Sequence, residues 1–155
     1  MPARRGQQYP ESLNLESKGR RTIAKKILIV DDELDMRIYV TTLLETNGFI
    51  PLSATNGEEG LELARLEKPS LIILDLMMPK MGGIKMYQEL KKDPDLKETP
   101  VIMLSAIAEK TFSHSYKIMS QQAGDEVRMP AAYIEKPPEA EQLLEAIEKN
   151  LKHHE

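Results

Sequence analysis

Acidic, hydroxyl and amine side chains stand where apolar runs of this chain end, and together they could carry phosphoryl chemistry. The run Leu71–Leu74 leads directly into Asp75, and other runs end in Asp31, Asp32, Ser105 and Lys136. A carboxylate can act as a nucleophile, while an ammonium and a hydroxyl can stabilise a phosphoryl group. Crowded carboxylates repel one another, and a hard divalent cation relieves that repulsion. These residue types predict a phosphoryl-accepting carboxylate, Asp75, beside a Mg²⁺ site.

Each of these residues has a simpler explanation when it is taken alone. Asp31 and Asp32 are typical of a helix start, where a carboxylate accepts backbone N–H groups and meets the positive end of the helix dipole. Ser105 is typical of a turn, and Lys136 of an exposed surface. It is their joint placement at four strand ends that favours a single site.

The elements that must position these residues follow a strand–helix alternation. Short continuous apolar runs predict strands that are buried on both faces, and they alternate with segments of helical pattern. The predicted strands are 26–30, 49–54, 71–74, 101–104 and 133–136, and the predicted helices are 33–46, 58–66, 83–92, 109–122 and 139–152. Pro51 places the second strand at an edge. The alternation predicts an α/β fold with a parallel sheet, helices on both faces and right-handed crossovers.

Composition limits the class of protein. The 155 residues fit one domain, with a net charge of −4, no cysteine and no apolar run long enough for a membrane span. The absence of cysteine excludes thiol chemistry and disulfides and favours a cytoplasmic location. Residues 1–24 are polar and basic, and they predict a flexible lead-in that could also touch an acidic partner or a membrane surface. No further domain is expected after the last helix.

The ordered motifs resemble those of response-regulator receiver domains of two-component signalling. They are Ile29-Val30-Asp31-Asp32-Glu33, Leu74-Asp75-Leu76-Met77-Met78-Pro79 with Gly83, Ser105-Ala106, and Tyr133-Ile134-Glu135-Lys136-Pro137. The resemblance covers about residues 25–152, and residues 25–155 are predicted to form the receiver domain. It implies a doubly wound, flavodoxin-like sheet of five parallel strands in the order 2-1-3-4-5.

The resemblance also implies roles for individual residues. Asp75 would accept a phosphoryl group from a histidine kinase or a histidine phosphotransfer protein. Mg²⁺ would be held by Asp32, Asp75 and the backbone carbonyl of Met77, with Asp31 acting mainly through water. Ser105 and Tyr133 would be the switch hydroxyl and the switch aromatic. Lys136 would pair with the phosphoryl group, and its bond to Pro137 would be cis.

Two features depart from the family pattern. The stretch between Ser105 and Lys136 is longer by roughly one loop, and we expect it on the face formed by the fourth helix, fifth strand and fifth helix. That face normally reports the signal and would be the one used by a homodimer. Met77 and Ile107, at the rim positions, are both apolar, which predicts hindered entry of water and a long-lived phosphorylated form.

The leading interpretation is a stand-alone receiver, a phosphorylation-dependent switch that is not an enzyme, acts through a downstream protein target and contacts no nucleic acid. A degenerate receiver that binds partners without phosphorylation is the alternative, although the retained acidic residues argue against it. An aspartyl phosphatase is disfavoured because Met77 stands where a general acid would be needed. A dinucleotide-binding enzyme is disfavoured because no Gly-x-Gly-x-x-Gly follows the first strand.

Overall fold

Strands and helices alternate along most of the chain in a computed structural model, which describes residues 13–15 and 21–153. The strands are β1 (Leu13–Leu15), β2 (Arg21–Ile23), β3 (Lys26–Val30), β4 (Ile50–Ala54), β5 (Leu71–Leu74), β6 (Val101–Ser105) and β7 (Ala132–Glu135). The helices are α1 (Leu34–Thr46), α2 (Gly57–Glu67), α3 (Gly83–Lys92), α4 (Glu109–Ala123) and α5 (Ala140–His153). No helix of the described part is both long and apolar enough to cross a membrane.

The strands β3 to β7 form one parallel sheet in the order β4-β3-β5-β6-β7. Counted from β3 as the first, this is the order 2-1-3-4-5, so the predicted topology is confirmed. The strand β4 lies at an edge and contains Pro51, which has no N–H group to give to a second neighbour. The edge position predicted from that proline is also confirmed.

Helices cover both faces of this sheet because the side chains of each buried strand alternate between the faces. In β3 and β5, Leu28, Val30, Ile72 and Leu74 pack in one cluster with buried residues of α2, α3 and α4. The intervening residues, Ile27, Ile29, Leu71 and Ile73, pack in a second cluster with Val40 and Leu44 of α1 and Leu143 and Ile147 of α5. Both faces of the central strands are therefore buried from solvent, as the continuous apolar runs predicted.

Helix ends follow the local chemistry of the sequence. The side chain of Asn56 accepts a hydrogen bond from the N–H of Glu59 at 2.9 Å, so α2 begins at Gly57, one residue before its predicted start. Gly48 after α1 and Gly124 after α4 have φ of 86° and 75°. Glycine adopts that left-handed conformation without a side-chain penalty, and it therefore follows both helix ends. The helix α1 ends at the predicted residue and α4 ends one residue later than predicted.

The amino-terminal region differs in part from the prediction. The strands β1 and β2 pair antiparallel, with Leu13 opposite Ile23, in a stretch for which the sequence predicted no regular structure. Each strand has only three residues, which is too short for apolar alternation to indicate a strand from sequence alone. The rest of the predicted flexible segment 1–24, residues 1–12 and 16–20, lies outside the described residues.

The extra residues before β7 pack against α3. The N–H of Ala131 donates to the carbonyl of Val101 at 2.9 Å, and the hydroxyl of Tyr87 donates to the carbonyl of Arg128 at 2.8 Å. Asp125 forms an ion pair with Lys92 at 3.8 Å. These bonds attach the segment to α3 and to the start of β6, and the N–H of Asp125 also donates to the carbonyl of Ser120 in α4 at 2.8 Å. The segment therefore contacts α3 as well as α4, which belongs to the face where the sequence placed it.

Candidate phosphoryl-acceptor site

Three carboxylates meet at the carboxyl ends of β3 and β5. The backbone hydrogen bonds of the sheet continue into the site. The N–H of Asp31 donates to the carbonyl of Ala54 at 3.1 Å, and the N–H of Asp75 donates to the carbonyl of Val30 at 2.9 Å. One carboxylate oxygen from each of Asp31, Asp32 and Asp75 lies within 4.8 Å of the others. Asp31 and Asp75 are buried and Asp32 is exposed. The neighbouring strands thus fix the two buried acids, as expected for adjacent parallel strands.

Lys136 reaches this cluster from the end of β7. Its backbone N–H donates to the carbonyl of Ser105 at 2.8 Å, and its bond to Pro137 is cis, as the resemblance implied. The ammonium Nζ lies 2.9 Å from Oδ2 of Asp31, 2.6 Å from Oε1 of Glu33 and 3.5 Å from Oδ2 of Asp75. Only 12% of the lysine side chain is exposed. One largely buried cation therefore lies at ion-pair distance from three carboxylates.

The electrostatics of the site raise the pKa of Asp75 towards neutral pH. Burial, and then the charge of Asp31, raise the pKa of Asp75 to about 6, although Lys136 acts in the opposite direction. Burial by itself would lower the pKa of Lys136, but the carboxylates of Glu33 and Asp31 outweigh it and the pKa is raised. The lysine is therefore charged, and it only partly compensates the crowded acids.

The raised pKa of Asp75 predicts a pH-dependent stability. The pKa is 3.8 in its ordinary environment and about 6 here, so the folded protein binds this proton more tightly than the unfolded chain does. Protonated Asp75 therefore contributes to the free energy of unfolding. This contribution is fully present below pH 3.8 and is lost as the pH rises through about 6. We expect a loss of about 2 kcal/mol, reduced from the full shift because solvent enters the cleft.

Urea unfolding without divalent cations, below and above these two pKa values, measures this loss. Asp75→Asn is the control, because the amide cannot titrate, and the difference in unfolding free energy between the two proteins isolates Asp75. A difference that does not change with pH would contradict the prediction.

The cluster suits a hard divalent cation. Its donors are all carboxylate oxygens, which Mg²⁺ prefers. Oδ2 of Asp31 is buried and has no well-formed hydrogen bond among the described residues, although Lys136 lies at ion-pair distance. Asp31, Asp32 and Asp75 could therefore hold Mg²⁺. The backbone N–H of Met77 donates to Oδ1 of Asp75 at 3.3 Å, while metal binding by the carbonyl of Met77 stays a prediction.

Ser105 and Tyr133 meet at the loop that follows β6. Ser105 is fully buried, and its Oγ accepts a hydrogen bond from the N–H of Ile107 at 3.1 Å. The hydroxyl of Tyr133 donates to the carbonyl of Ile107 at 2.6 Å. Burial raises the pKa of Tyr133, which keeps this hydroxyl protonated as a donor. Both predicted switch residues therefore hold the same loop next to the carboxylates.

A row of four aromatic rings connects Tyr133 with α3. Tyr133 stacks on Phe112 at 5.4 Å between ring centroids, and Phe112 stacks on Tyr116, also at 5.4 Å. Tyr116 contacts Tyr87 edge to face at 5.7 Å. Tyr87 is the residue whose hydroxyl is bonded to Arg128, so the row ends at the extra segment before β7. The sequence did not predict the row, because α4 supplies only its two middle rings and the outer two, Tyr133 and Tyr87, are distant along the chain.

An open cleft of about 520 Å³ gives access to Asp75. Its lining residues are Asp32, Glu33, Met36, Asp75, Met77, Ala106, Lys136 and Pro137. Met77 lies at the rim and is 63% exposed, as expected. Ile107 is half-buried, packs against the core cluster of α2, α3 and α4, and does not line the cleft. Of the two residues predicted at the rim, Met77 lines the cleft and Ile107 does not.

Sequence reasoning assigned Glu33 only to the start of the first helix. The structure shows that its carboxylate makes the shortest contact of Lys136. The one signal for this in the sequence is a third acidic residue directly after Asp31 and Asp32, and such a residue is equally typical of the first turn of a helix.

Residues 27–148 match the family model described as the response regulator receiver domain. The chain is 34% identical over 132 residues to the polar-differentiation response regulator DivK of Brucella anthropi, covering 82% of this chain and 96% of that protein. It is 34% identical over 122 residues to the protein PilH of Pseudomonas aeruginosa, covering 79% of this chain and 93% of that protein. The probable transcriptional regulator ycf27 of Cyanophora paradoxa is 45% identical over 85 residues, but the chain spans only 34% of its length.

Solved structures agree with these similarities. The receiver domain of a histidine kinase from Syntrophus aciditrophicus superposes with a TM-score of 0.69 at 29% identity, covering 84% of this chain and 92% of that one. The chemotaxis response regulator CheY4 of Vibrio cholerae superposes with a TM-score of 0.70 at 25% identity, covering 82% of this chain and 98% of that one. With its sheet order, its acidic cluster and the match over residues 27–148, the chain belongs to the response regulator receiver domain family.

Proposed function

We propose that this receiver domain is a phosphorylation-dependent switch whose phosphoryl acceptor is Asp75. The observation that carries the proposal is the joint position of Asp75, the two other carboxylates and Lys136 at the mouth of one cleft. The donor would be a histidine kinase or a histidine phosphotransfer protein. The domain would act stoichiometrically rather than as an enzyme, apart from catalysing its own phosphorylation and dephosphorylation.

In the proposed transfer, a carboxylate oxygen of Asp75 forms a bond to phosphorus while the phosphorus–nitrogen bond of the donor histidine breaks. The electron pair of that bond stays on the imidazole nitrogen. Lys136, 3.5 Å from Asp75, supplies a positive charge for the phosphoryl oxygens. Mg²⁺ held by Asp31, Asp32 and Asp75 would neutralise negative charge on the phosphoryl group.

The switch would start at the loop after β6. A phosphoryl group on Asp75 brings nearly two negative charges and strong acceptors, and the buried hydroxyl of Ser105 can turn from the N–H of Ile107 to donate to it. Tyr133 is bonded to the same loop and stacked on Phe112, so a shift of the loop changes its contacts. The face of α4, β7 and α5 would then present a different surface to a downstream protein or to a second copy of the chain. Phosphorylation would shift an equilibrium between arrangements that already exist.

Apolar side chains at the cleft support a protein as the phosphoryl donor. Met36 of α1 and Met77 line the cleft, and Met77 is 63% exposed. An exposed apolar surface next to a reactive group is typical of a contact site. We propose that the donor protein packs on these two side chains when it presents its phosphohistidine to Asp75.

Intact-mass spectrometry of the purified full chain tests the proposal. After incubation with Mg²⁺ and acetyl phosphate, we expect the mass to increase by one phosphoryl group, and we expect hydroxylamine, which cleaves acyl phosphates, to reverse the increase. A degenerate receiver would gain no mass, and that result would contradict the proposal. The cytoplasmic location stays a prediction.

Met77→Asn should shorten the life of the phosphorylated form. The exposed thioether of Met77 lies at the rim of the cleft and cannot orient a water molecule, whereas an amide can donate and accept hydrogen bonds. We expect dephosphorylation to become faster by about tenfold, within the range for positioning of a reacting group. Loss of radiolabelled phosphate over time measures the rate. Met77→Leu is the control, and equal rates for the amide and leucine variants would contradict the prediction.

A further inference from the structure

Among the residues that the structure describes, the carboxylate of Glu33 contacts Lys136. Glu33 precedes α1 as its N-cap residue, but its side chain makes no capping hydrogen bond. Its backbone is held independently, since its N–H donates to Oδ1 of Asp31 at 2.9 Å and its carbonyl accepts from the N–H of Arg37 at 3.0 Å. The side chain is 59% exposed and lies with Oε1 2.6 Å from Nζ of Lys136.

This contact helps to set where the ammonium of Lys136 lies. Nζ is 2.6 Å from Glu33 and 2.9 Å from Asp31, and it is farther from Asp75, at 3.5 Å. The lysine side chain is 12% exposed, so water has little access to the ammonium. A phosphoryl group on Asp75 needs the same ammonium, and a short contact with that group would draw Nζ away from its present position beside Glu33.

We infer that Glu33 is a positioning residue that holds the Lys136 ammonium away from Asp75 until a phosphoryl group draws it across. The inference rests on the proposed function and adds a regulation of the same site. Lys136 exchanges one carboxylate partner for the phosphoryl oxygens, and Glu33 is released towards solvent. The free carboxylate at the mouth of the cleft then distinguishes the phosphorylated from the unphosphorylated form.

Variants of Glu33 separate this role from a general effect of charge. Glu33→Gln keeps the length of the side chain and removes its charge, whereas Glu33→Asp keeps the charge and shortens the side chain. Asp35→Asn is the matched control, because Asp35 lies exposed in the first turn of the same helix and the substitution removes one charge. If the contact needs both the charge and the length of the Glu33 side chain, both Glu33 variants should release Lys136 and the control should not.

Lysine ammonium NMR on the unphosphorylated full chain tests the positioning directly. In the ¹H–¹⁵N spectrum of the side-chain NH₃⁺ groups, the Lys136 signal is assigned by its loss in Lys136→Arg. We expect both Glu33 variants to shift this signal and to speed its exchange with water, while Asp35→Asn leaves it in place. An unchanged signal in Glu33→Asp would overturn the inference.

Phosphorylation kinetics give the second readout. At limiting acetyl phosphate with Mg²⁺, we expect both Glu33 variants to gain the phosphoryl group about threefold faster than the wild type, within the range for one partly exposed ion pair. A faster rate in Glu33→Gln alone would show a charge effect and overturn the inference, as would unchanged rates in both. If the wild type gains no phosphoryl group, the proposed function fails, while the NMR result still decides whether Glu33 positions Lys136.

Discussion

Asp75→Asn is expected to abolish formation of the acyl phosphate. An asparagine amide fits the same space next to Lys136, but it is not a nucleophile towards phosphorus. We expect the variant to gain no phosphoryl group under conditions in which the wild type is fully modified. Intact-mass spectrometry in the presence of Mg²⁺ and acetyl phosphate measures this result, and Asp35→Asn, with the same change of charge on the exposed start of α1, should be modified like the wild type.

Loss of the fold would not account for that result. Burial and the charge of Asp31 raise the pKa of Asp75, so the charged form is held at a cost that the neutral amide avoids. Above the pKa, Asp75→Asn should therefore unfold at the same or a higher urea concentration than the wild type. Retained modification, with the label located by peptide mapping on Asp31 or Asp32, would show that a different carboxylate is the acceptor.

Gly83→Ala is expected to destabilise the protein by about 3 kcal/mol or more. Gly83 begins α3 directly behind the loop that carries Asp75, and its N–H donates to the carbonyl of Leu76 at 3.0 Å. A Cβ atom at this position would lie 2.1 Å from the carbonyl oxygen of Asp75 and 2.6 Å from Cα of Leu76. Both of these are backbone atoms, so the helix and the loop would have to move apart. Urea unfolding monitored by circular dichroism measures the loss.

Gly82→Ala is the matched control for this prediction. Gly82 is the preceding residue, has a φ of −76°, and a Cβ there would lie 3.6 Å from its nearest neighbour, an ordinary contact. We expect this variant to change stability by less than about 1 kcal/mol, as is usual where no packing is disturbed. Similar losses for the two variants would contradict the steric argument. Where Gly83→Ala still folds, it should also accept phosphate more slowly because the backbone of Asp75 is displaced.

The convergence of the site was predictable because it depends on backbone topology. Apolar runs defined the strands that precede Asp31, Asp75, Ser105 and Lys136, and the alternation with helices made the sheet parallel. In such a sheet the carboxyl ends of the strands share one edge. The structure brings these side chains together at that edge.

The partners of individual side chains were not predictable in the same way. Lys136 contacts Glu33 across 103 residues at 2.6 Å, and several carboxylates of equal charge were available to it. Which of them comes closest depends on side-chain length and direction within the folded site. Ile107 is half-buried against the core, whereas Met77 is exposed. The position of Ile107 depends on the path of the loop after β6.

The sequence by itself determined the strands and helices of the parallel sheet and the edge at which the acidic residues meet, because apolar periodicity and end signals act locally. The order of those strands followed from the resemblance to receiver domains. Only the tertiary structure decided that Glu33 shares Lys136, that four aromatic rings lead from Tyr133 to α3, and that the extra segment after Gly124 packs on α3. Apart from the stacking of Phe112 on Tyr116 within α4, these contacts join residues far apart in the chain. No local pattern distinguishes the partner that is used from others of the same type. The choice follows from the space that remains once the sheet and its helices have packed.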